Sequence, residues 1–252
     1  MGEKLVSIIT PVHNAEKFIL ETIKTVQCQT YKNWELILVD DCSTDNTKKI
    51  AMPEIKKDSR IIWVDLEKKS GSAAARNKAL SLSRGEYVCY LDVDDLWEKT
   101  KLEKQILFMQ KNGYAFSYTS YEFANENGQP NGKKVIVPKK INYEQALKNL
   151  IIWTSTVMFD MSQVSKNDLE MPNVKRGQDM ATWWQVLKVV GYAYGMREVL
   201  AYYRRYSGSL SANKFKALRR TWILYRKIEH LNIFKSVSCF VVYCFNAIKK
   251  RV

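Results

Sequence analysis

Short apolar runs alternate with helical patterns over the first hundred residues. The runs are rich in β-branched and aromatic side chains, which is typical of strands buried on both faces. They are Val6–Thr10, Trp34–Val39, Ile61–Val64 and Tyr87–Leu91. Between them, residues 18–26 show helical spacing, Ser43–Asp45 offers a helix cap, and Ala73–Leu82 is an alanine-rich helix former. This alternation predicts an α/β fold with a doubly wound, Rossmann-like, mostly parallel sheet flanked by helices.

The pattern becomes more irregular after about residue 113. The expected strands are 115–123, 135–137 and 200–203, and the expected helices are 143–150 and 179–190. Asn127-Gly128 and Asn131-Gly132 mark turns between the first two strands. Since no Gly/Ser/Pro-rich linker intervenes, we expect one domain over residues 1–212, composed of halves 1–112 and 113–212.

Residues 213–252 are predicted to form a basic, amphipathic helical tail. The apolar face of its first helix is expected to carry Phe215, Leu218, Trp222, Tyr225 and Ile228. A second stretch, residues 233–248, is strongly apolar, but it is too short and too polar to predict a transmembrane helix.

The net charge of +14 is concentrated at this end of the chain. Residues 204–252 contain 12 Lys or Arg and one acidic residue, Glu229. Such a tail could meet an anionic membrane, nucleic acid or an acidic substrate, or it could pack on the preceding domain or in a dimer. Basic residues beside apolar ones favour an interfacial helix on anionic lipid, and we expect no nucleic acid partner.

Composition narrows the class of protein further. Hydrophobic residues make up 46% of the chain, which indicates a folded globular protein. The five cysteines and two histidines show no zinc-site spacing, which is typical of free thiols in a reducing cytosol. The N-terminus lacks the apolar region of a signal peptide, so we expect a cytoplasmic protein.

The strongest chemical signal is the acidic run Leu91-Asp92-Val93-Asp94-Asp95, at the carboxyl end of the fourth predicted strand. Ligands of open parallel sheets bind at this edge. Three neighbouring carboxylates repel one another unless a cation lies between them, and hard oxygen ligands suit Mg²⁺ or Mn²⁺. The alternative is a solvated acidic turn that caps the next helix.

Polar loops follow other strands at the same predicted edge. Thr10-Pro11-Val12-His13-Asn14 follows the first strand, and Asp40-Asp41 ends the second. Asp41 could accept the N–H of a uracil ring, although helix capping is an alternative for both aspartates. After the small residues of Gly71–Ala75, Arg76 could pair with phosphate or with the acidic run.

Together, ITPVHN, VDDCSTD, GSAAARN and YLDVDDLW resemble a family 2 glycosyltransferase of the GT-A fold, over residues 5 to about 210. The stretches Phe116–Glu122 and Trp153–Met158 resemble teichuronic acid and capsular polysaccharide glycosyltransferases in particular. The resemblance implies a UDP-sugar donor, an Mn²⁺ or Mg²⁺ cofactor, a nucleotide-sugar half (1–112) and an acceptor-side half (113–212). The donor-binding residues that we expect are Thr10, Pro11, Val12, His13, Asn14, Asp41, Arg76, Asp92, Val93 and Asp94.

The resemblance also assigns individual roles. Thr10, Pro11 and Asp41 would hold the uracil, Asp92 would face the ribose, and Asp94 would bind the ion. Asp95 and Gln178 are further candidate contacts for diphosphate or acceptor.

The same resemblance identifies Asp179 as the general base that removes a proton from the acceptor hydroxyl. Family members often carry Glu-Asp here, whereas this chain has Gln178-Asp179. The alternative for Asp179 is an N-cap of the following helix. Trp183 and Trp184 are candidates for a sugar-stacking platform, with burial in the core as the alternative.

One departure concerns the metal. Many relatives carry a histidine after Tyr-Arg, where this chain has Tyr206, a poor ligand for either ion. Coordination would then rest on Asp94, the diphosphate and water. Arg204, Arg205 and Ser209 are candidates for a diphosphate clamp.

These features predict an inverting glycosyltransferase that acts on a saccharide acceptor, expected to be lipid-linked, at the inner face of the membrane. Two alternatives stay open. A nucleotidyltransferase would usually have a Gly-rich loop after the first strand, and residues 11–16 lack one. A non-catalytic partner subunit would account for Gln178 and Tyr206.

Overall fold

The computed structural model describes residues 3–149, 151–174, 176–206 and 214–249. The strands are β1 (Val6–Val12), β2 (Trp34–Asp40), β3 (Ile61–Asp65), β4 (Tyr87–Tyr90), β5 (Leu96–Trp97), β6 (Phe116–Ala124), β7 (Pro130–Val135), β8 (Lys140–Asn142), β9 (Met158–Asp160) and β10 (Tyr192–Arg204). The helices are α1 (Ile19–Gln27), α2 (Thr47–Lys57), α3 (Ser72–Leu82), α4 (Lys101–Asn112), α5 (Tyr143–Leu147), α6 (Lys166–Leu169), α7 (Gln178–Val190), α8 (Lys214–Ile223) and α9 (Ile233–Lys249). A 3₁₀ turn covers Thr154–Thr156, and a π-helical segment covers Leu224–Ile228.

The described strands form one sheet, with the main order β3-β2-β1-β4-β9-β6-β10-β5. In the first half, β1 pairs in parallel with β2 and β4, and β2 pairs in parallel with β3. The second half is mixed, because β9 runs antiparallel to both β4 and β6 while β10 runs parallel to β6. The predicted α/β fold, with a parallel first half and a mixed second half, is confirmed.

The core lies on both faces of this sheet. Alternate side chains of each central strand enter opposite layers, so that Ile9 and Ile37 pack on one face while Ile8 and Leu36 pack on the other. Every residue of β2 is buried. Helices on both sides are what a parallel sheet requires, since neither of its faces meets water.

Several strands of the second half are longer or shorter than the pattern predicted. β10 begins at Tyr192 and not at Leu200, and it contains register shifts between Met196 and Ala201 that interrupt the apolar alternation. The turn at Asn127-Gly128 is present, but β7 starts at Pro130 and runs through the second predicted turn, Asn131-Gly132. These elements depend on pairing with distant strands, which local patterns do not encode.

The first part of the tail packs against the preceding domain with the apolar face that was expected to lie on lipid, which is the alternative that the sequence left open. Tyr225 is fully buried, stacks on Trp184 and donates a hydrogen bond to the carbonyl oxygen of Leu147. Leu224 also joins the core. Of the other positions predicted for this face, Ile228 packs against the same core, and the side chain of Phe215 lies outside the described part.

The second tail helix instead carries the exposed apolar face. Its inner side buries Ser236, Cys239 and Tyr243. Its outer side exposes Ile233, Phe234, Val237, Val241, Val242 and Phe245. Phe234 is 84% exposed and Phe245 is 68% exposed. None of the helices in the described ranges is long and apolar enough to cross a bilayer.

Candidate active site

Helix α3 connects two of the acidic positions. Before its first turn, the backbone N–H groups of Ser70 and Gly71 donate to the carboxylate of Asp41 at 2.5 and 2.8 Å. Gly71 adopts φ +89°, a conformation that residues with a Cβ rarely adopt. One and a half turns later, Arg76 Nη2 donates to Asp92 Oδ1 at 2.5 Å. Asp41 and Asp92 therefore meet the same helix at the carboxyl edge of the sheet.

The loop after β1 lies beside this position. Thr10 is buried, and its hydroxyl oxygen has no hydrogen-bond partner among the residues described. His13 Nε2 lies 2.8 Å from Lys69 Nζ, while His13 Nδ1 is buried and unpaired within the same residues. Asn14, at φ +48°, accepts the backbone N–H of Thr44 on its side-chain oxygen at 2.8 Å. Unpaired polar groups at the end of a parallel strand are suited to a polar ligand.

Pro11 and Val12 extend β1 beyond the predicted end of the strand. Val12 is buried and belongs to the apolar layer on one face of the sheet, whereas Pro11 is partly exposed. Val93 is partly buried, and its carbonyl oxygen accepts a hydrogen bond from the Thr22 hydroxyl at 2.5 Å. Of the expected donor-binding residues, Val12 and Val93 thus have clear packing or backbone roles.

Asp94 and Asp95 follow Asp92 but occupy different environments. Asp95 is buried, and its carboxylate accepts hydrogen bonds from Trp153 Nε1 at 3.0 Å, Ser155 Oγ at 2.5 Å and Arg204 N at 3.3 Å. Burial, followed by the charges of Asp94 and Asp92, raises the pKa of Asp95 well above its ordinary value. Asp95 is therefore an anchor beneath the site and not an open contact for diphosphate.

Asp94 is better placed to meet a cation. Burial, followed by the neighbouring charge of Asp92, raises the pKa of Asp94 to about 6. The Tyr206 hydroxyl donates to Asp94 Oδ2 at 3.2 Å. A divalent cation would favour the ionised carboxylate, so the residues fit an oxygen-ligated ion. The described ranges contain no group of three His, Cys, Asp or Glu arranged for a metal, so diphosphate and water would have to complete the coordination.

Arg204 supports the acidic run from below instead of clamping a diphosphate. It is 2% exposed, and its guanidinium donates to the carbonyl oxygens of Asp94 and Glu126 at 2.9 and 2.7 Å. It also pairs with Glu21 at 2.6 Å. Arg205 is exposed, and its guanidinium carbon lies 3.9 Å from the ring centre of Phe123. Ser209, the third candidate for the clamp, lies outside the described residues.

Asp179 lies in the first turn of α7. Thr154 Oγ1 donates to Asp179 Oδ2 at 2.9 Å. Burial lowers the pKa of Arg76, but the charges of Asp92 and then Asp179 outweigh it, so the pKa is raised. The positive charge of Arg76 is therefore stabilised by both Asp92, with which it pairs directly, and Asp179. The neighbouring Gln178 is buried and donates to Ser72 Oγ at 2.6 Å, which fixes the start of α7 against α3.

The tail contacts the same turn. Gly177, at φ +79°, precedes α7, and a Cβ added there would lie 2.8 Å from Leu224 Cδ1 and 3.0 Å from Arg220 Cδ. The π-helical segment thus packs directly against the entry to the helix that carries Asp179.

Trp183 and Trp184 do not face the site. They are 2% and 1% exposed, and Trp183 packs among Tyr90, Phe116 and Phe159 in the core. Both indoles sit one turn or more into α7 on its inward side, so neither can stack on a sugar.

The turn Trp153–Ser155 is a part of the site that the chemistry of single motifs did not identify. Its three side chains reach Asp95 and Asp179, and Ser155 Oγ also accepts the backbone N–H of Asp92 at 3.1 Å. The Trp-Thr-Ser run stands out in the sequence only as part of the resemblance, because a hydroxyl-rich turn has no chemical signature of its own. The hydrogen bonds from the backbone of Ser70 and Gly71 to Asp41 could likewise not be predicted from the residues around Asp41.

Comparison with known proteins gives a consistent result. The family model described as Glycosyl transferase family 2 matches residues 7–171. The chain is 48% identical over 248 residues to TuaG, a glycosyltransferase of Bacillus subtilis (strain 168) named for teichuronic acid biosynthesis, with 98% of each chain covered. It is 40% identical over 223 residues to the Escherichia coli UDP-Glc:alpha-D-GlcNAc-diphosphoundecaprenol beta-1,3-glucosyltransferase WfgD, covering 88% of this chain and 85% of the relative.

A solved structure shows the same fold. The mannosyltransferase PcManGT of Pyrobaculum calidifontis, in complex with GDP-Man and Mn²⁺, superimposes with a TM-score of 0.68 at 17% identity, covering 97% of this chain and 70% of that chain. At this identity the likeness extends to the fold alone.

Proposed function

This chain belongs to glycosyl transferase family 2, and on that premise we propose that it transfers a sugar from a UDP-sugar, with inversion, to a lipid-linked saccharide in bacterial cell-surface polysaccharide synthesis. One observation carries the proposal: α3 and the residue before it contact Asp41 through Gly71, Asp92 through Arg76, and the start of α7, which carries Asp179, through Ser72. The names of the relatives supply the chemical class, since WfgD uses UDP-Glc and a diphosphoundecaprenol-linked acceptor.

In this proposal Asp179 is the general base. Its carboxylate accepts the proton of the acceptor hydroxyl, the hydroxyl oxygen forms a bond to C1 of the donor sugar, and the bond from C1 to UDP breaks with the electrons leaving on UDP. Thr154 holds one oxygen of Asp179 at 2.9 Å and so orients the carboxylate. No covalent enzyme intermediate is required.

The donor would lie across the carboxyl ends of β1, β2 and β4. Asp41 accepts the uracil N–H, the loop Thr10–Asn14 borders the base, and Asp92 meets the ribose. We assign an Mn²⁺ or Mg²⁺ ion to Asp94; when bound, it neutralises charge on the departing diphosphate. Arg76 is already paired with Asp92, so its charge helps to hold the acidic run in place.

The experiment that tests the proposal is a donor screen. The protein is incubated with Mn²⁺ and UDP-, GDP- and dTDP-sugars, with and without an α-D-GlcNAc-diphosphate lipid, and nucleotide release is measured before and after EDTA. We expect release from one UDP-sugar, accelerated by the acceptor and lost on chelation. Absence of release and transfer with every donor would overturn the proposal. The comparisons do not favour a nucleotidyltransferase or a non-catalytic partner subunit.

The exposed face of α9 supports a peripheral position on the inner, cytoplasmic face of the membrane. Phe234, Val237, Val241 and Phe245 recur at helical spacing on that face, and Lys249, Lys250 and Arg251 follow in sequence. Apolar side chains flanked by basic ones bind anionic lipid surfaces. Since π-helical Leu224 contacts Gly177, membrane binding through α9 would bring the entry to α7 close to a lipid-linked acceptor.

Flotation with vesicles containing phosphatidylglycerol tests the membrane contact. Removing the tail after residue 213 would expose the core around Tyr225, so point substitutions are preferable. We expect Phe234→Ser with Phe245→Ser to lose flotation, whereas Leu107→Ser, on an exposed apolar position of α4, should float like the wild type. Equal flotation of all three, or a dimer that the double substitution dissolves, would remove the membrane role.

A further inference from the structure

The turn Trp153–Ser155 contacts both Asp95, in the acidic run, and Asp179, the proposed base. Trp153 Nε1 donates to Asp95 Oδ2 at 3.0 Å, and the hydroxyl of the next residue, Thr154, donates to Asp179 Oδ2 at 2.9 Å. The backbone that carries the indole is therefore the backbone that orients the base. The indole and the proposed base are thus linked through two adjacent residues of one turn.

The indole belongs to an aromatic cluster formed by Tyr121, Phe123, Trp153 and Tyr203. Its ring centre lies 4.0 Å from that of Tyr203 and 6.1 Å from that of Tyr121. Tyr121, Phe123 and Tyr203 are buried, whereas Trp153 keeps a partly exposed side chain. The cluster thus supports the indole from within, and Trp153 is its member that remains accessible.

This combination is suited to a sugar ring. A pyranose has C–H groups that pack on an aromatic face and hydroxyls that need polar acceptors at fixed positions. The hydrogen bond to Asp95 and the contact with Tyr203 restrict rotation of the indole, so binding would cost little side-chain entropy. Trp183 and Trp184, by contrast, are enclosed in the core.

We propose that Trp153 is the platform for the acceptor saccharide: the sugar ring that receives the transferred residue packs on the indole, with its reacting hydroxyl directed to Asp179. This inference rests on the proposed function, because it identifies the acceptor subsite of that reaction. It assigns the specificity for a hexose acceptor to the turn Trp153–Ser155.

Three substitutions separate stacking from support. Trp153→Leu removes the ring and the N–H, Trp153→Phe keeps an aromatic face without the N–H, and Trp63→Leu is the matched control. Trp63 is a partly exposed tryptophan of β3 whose Nε1 donates to Asp65 at 2.8 Å. The probe is α-D-GlcNAc diphosphate with a short alkyl chain, the acceptor head group in the name of WfgD.

Steady-state transfer should show a KM for this acceptor raised about tenfold in Trp153→Leu, with a smaller rise in Trp153→Phe and none in Trp63→Leu. The Kd for UDP should stay within about twofold in all three. If Trp153→Leu raises the acceptor KM no more than Trp63→Leu, or weakens UDP binding to the same extent as acceptor binding, the platform is overturned.

Saturation-transfer NMR of the same probe, with UDP present, makes the result independent of turnover. The wild type should saturate the ring protons of the GlcNAc unit, and Trp153→Leu should not. Wild-type protein that binds the probe in this way but transfers no sugar would refute the proposed function and leave the platform supported. Unchanged saturation in Trp153→Leu would refute the platform even if transfer is observed.

Discussion

The two halves of the sheet bring acidic side chains to one edge by different routes. In the first half (residues 1–112), the donor half of the proposed function, Asp41 directly follows β2 and Asp92 lies two residues after β4, so the path of the chain alone brings them to the carboxyl edge. In the second half (residues 113–212), the acceptor half of the proposed function, Asp179 belongs to a helix whose position is set by the hydrogen bonds of Gln178 to Ser72 and of Thr154 to Asp179. Local sequence therefore positions the donor acids, whereas tertiary contacts position the proposed base.

The largest expected effect comes from Asp179→Asn, which should impair transfer without impairing binding of the donor nucleotide. The amide cannot accept the proton of the acceptor hydroxyl, so we expect transfer to fall by about 10²–10⁴-fold. Binding of UDP, measured by calorimetry, should change by less than about twofold because the substitution leaves the donor half intact. Glu170→Gln, an exposed carboxylate ahead of α7, serves as the control. Normal turnover in Asp179→Asn would refute its role as base.

The next largest effect is expected on stability, from a substitution of Lys101. This residue lies in the first turn of α4, where the two halves pack together. This lysine is fully buried, donates to Gln105 Oε1 at 2.7 Å and lies 4.1 Å above the ring of Trp97. Gln105 in turn donates to Ser117 Oγ and to the carbonyl oxygen of Thr156. Burial lowers the pKa of Lys101 to about 8.

Because the folded pKa is lower than the ordinary 10.5, the unfolded chain binds more protons at Lys101 between pH 8 and 10.5. The contribution of this residue to the free energy of unfolding therefore rises with pH across that window. We expect the stability difference between wild type and Lys101→Met to shift by on the order of 3 kcal/mol from pH 7 to 10.5, in favour of the wild type. Urea denaturation at several pH values measures it, with exposed Lys111→Met as control. Parallel pH curves for wild type and Lys101→Met would contradict the expectation.

The smallest expected effect comes from Asp41→Asn in the donor half, which should weaken binding of UDP and leave transfer at saturating donor nearly unchanged. An amide oxygen can replace one of the two bonds from Ser70 and Gly71, but its NH₂ group would oppose the other N–H donor and the uracil. We expect the Kd for UDP to rise roughly tenfold, with kcat at saturating donor little changed. Calorimetry with UDP and with a GDP control gives the answer. An unaltered Kd for UDP would place the uracil elsewhere.

The sequence predicted the donor half closely because its signals are local. Short apolar runs predict the buried strands. Because these strands are parallel, the residues that follow them lie at the same ligand-binding edge of the sheet. The family and the fold followed from four motifs in the correct order. The assignment of individual roles to Asp41, Asp92, Asp94 and Asp179 stays a prediction.

The acceptor half was less predictable for a physical reason. Composition does not distinguish an indole in the core from one beside a ligand, so Trp183 and Trp184 were candidates while Trp153 was not. Arg204 also looked available for phosphate, yet its donors reach Asp94, Glu126 and Glu21, which are more than 75 positions away in sequence. Only the folded chain brings such partners together.

The tail illustrates the same limit. Periodicity correctly indicated an amphipathic α8, but it could not tell which apolar face finds a partner. Tyr225 packs on Trp184, and the helix face that stays open belongs to α9. Whether a helix face is exposed or covered depends on the surface that packs opposite it. That surface comes from distant parts of the sequence, which local periodicity does not include.

Strand β9 has a consequence for the order in which the chain can fold. Its three residues, Met158–Asp160, fill the gap between β4 and β6. While the ribosome synthesises the first 157 residues, the buried strand β4 therefore has one unpaired edge, an open template for pairing with another chain. Chains that end before residue 158 should be prone to aggregation and dependent on chaperones, whereas longer chains whose β9 has left the ribosome can pair this edge of β4.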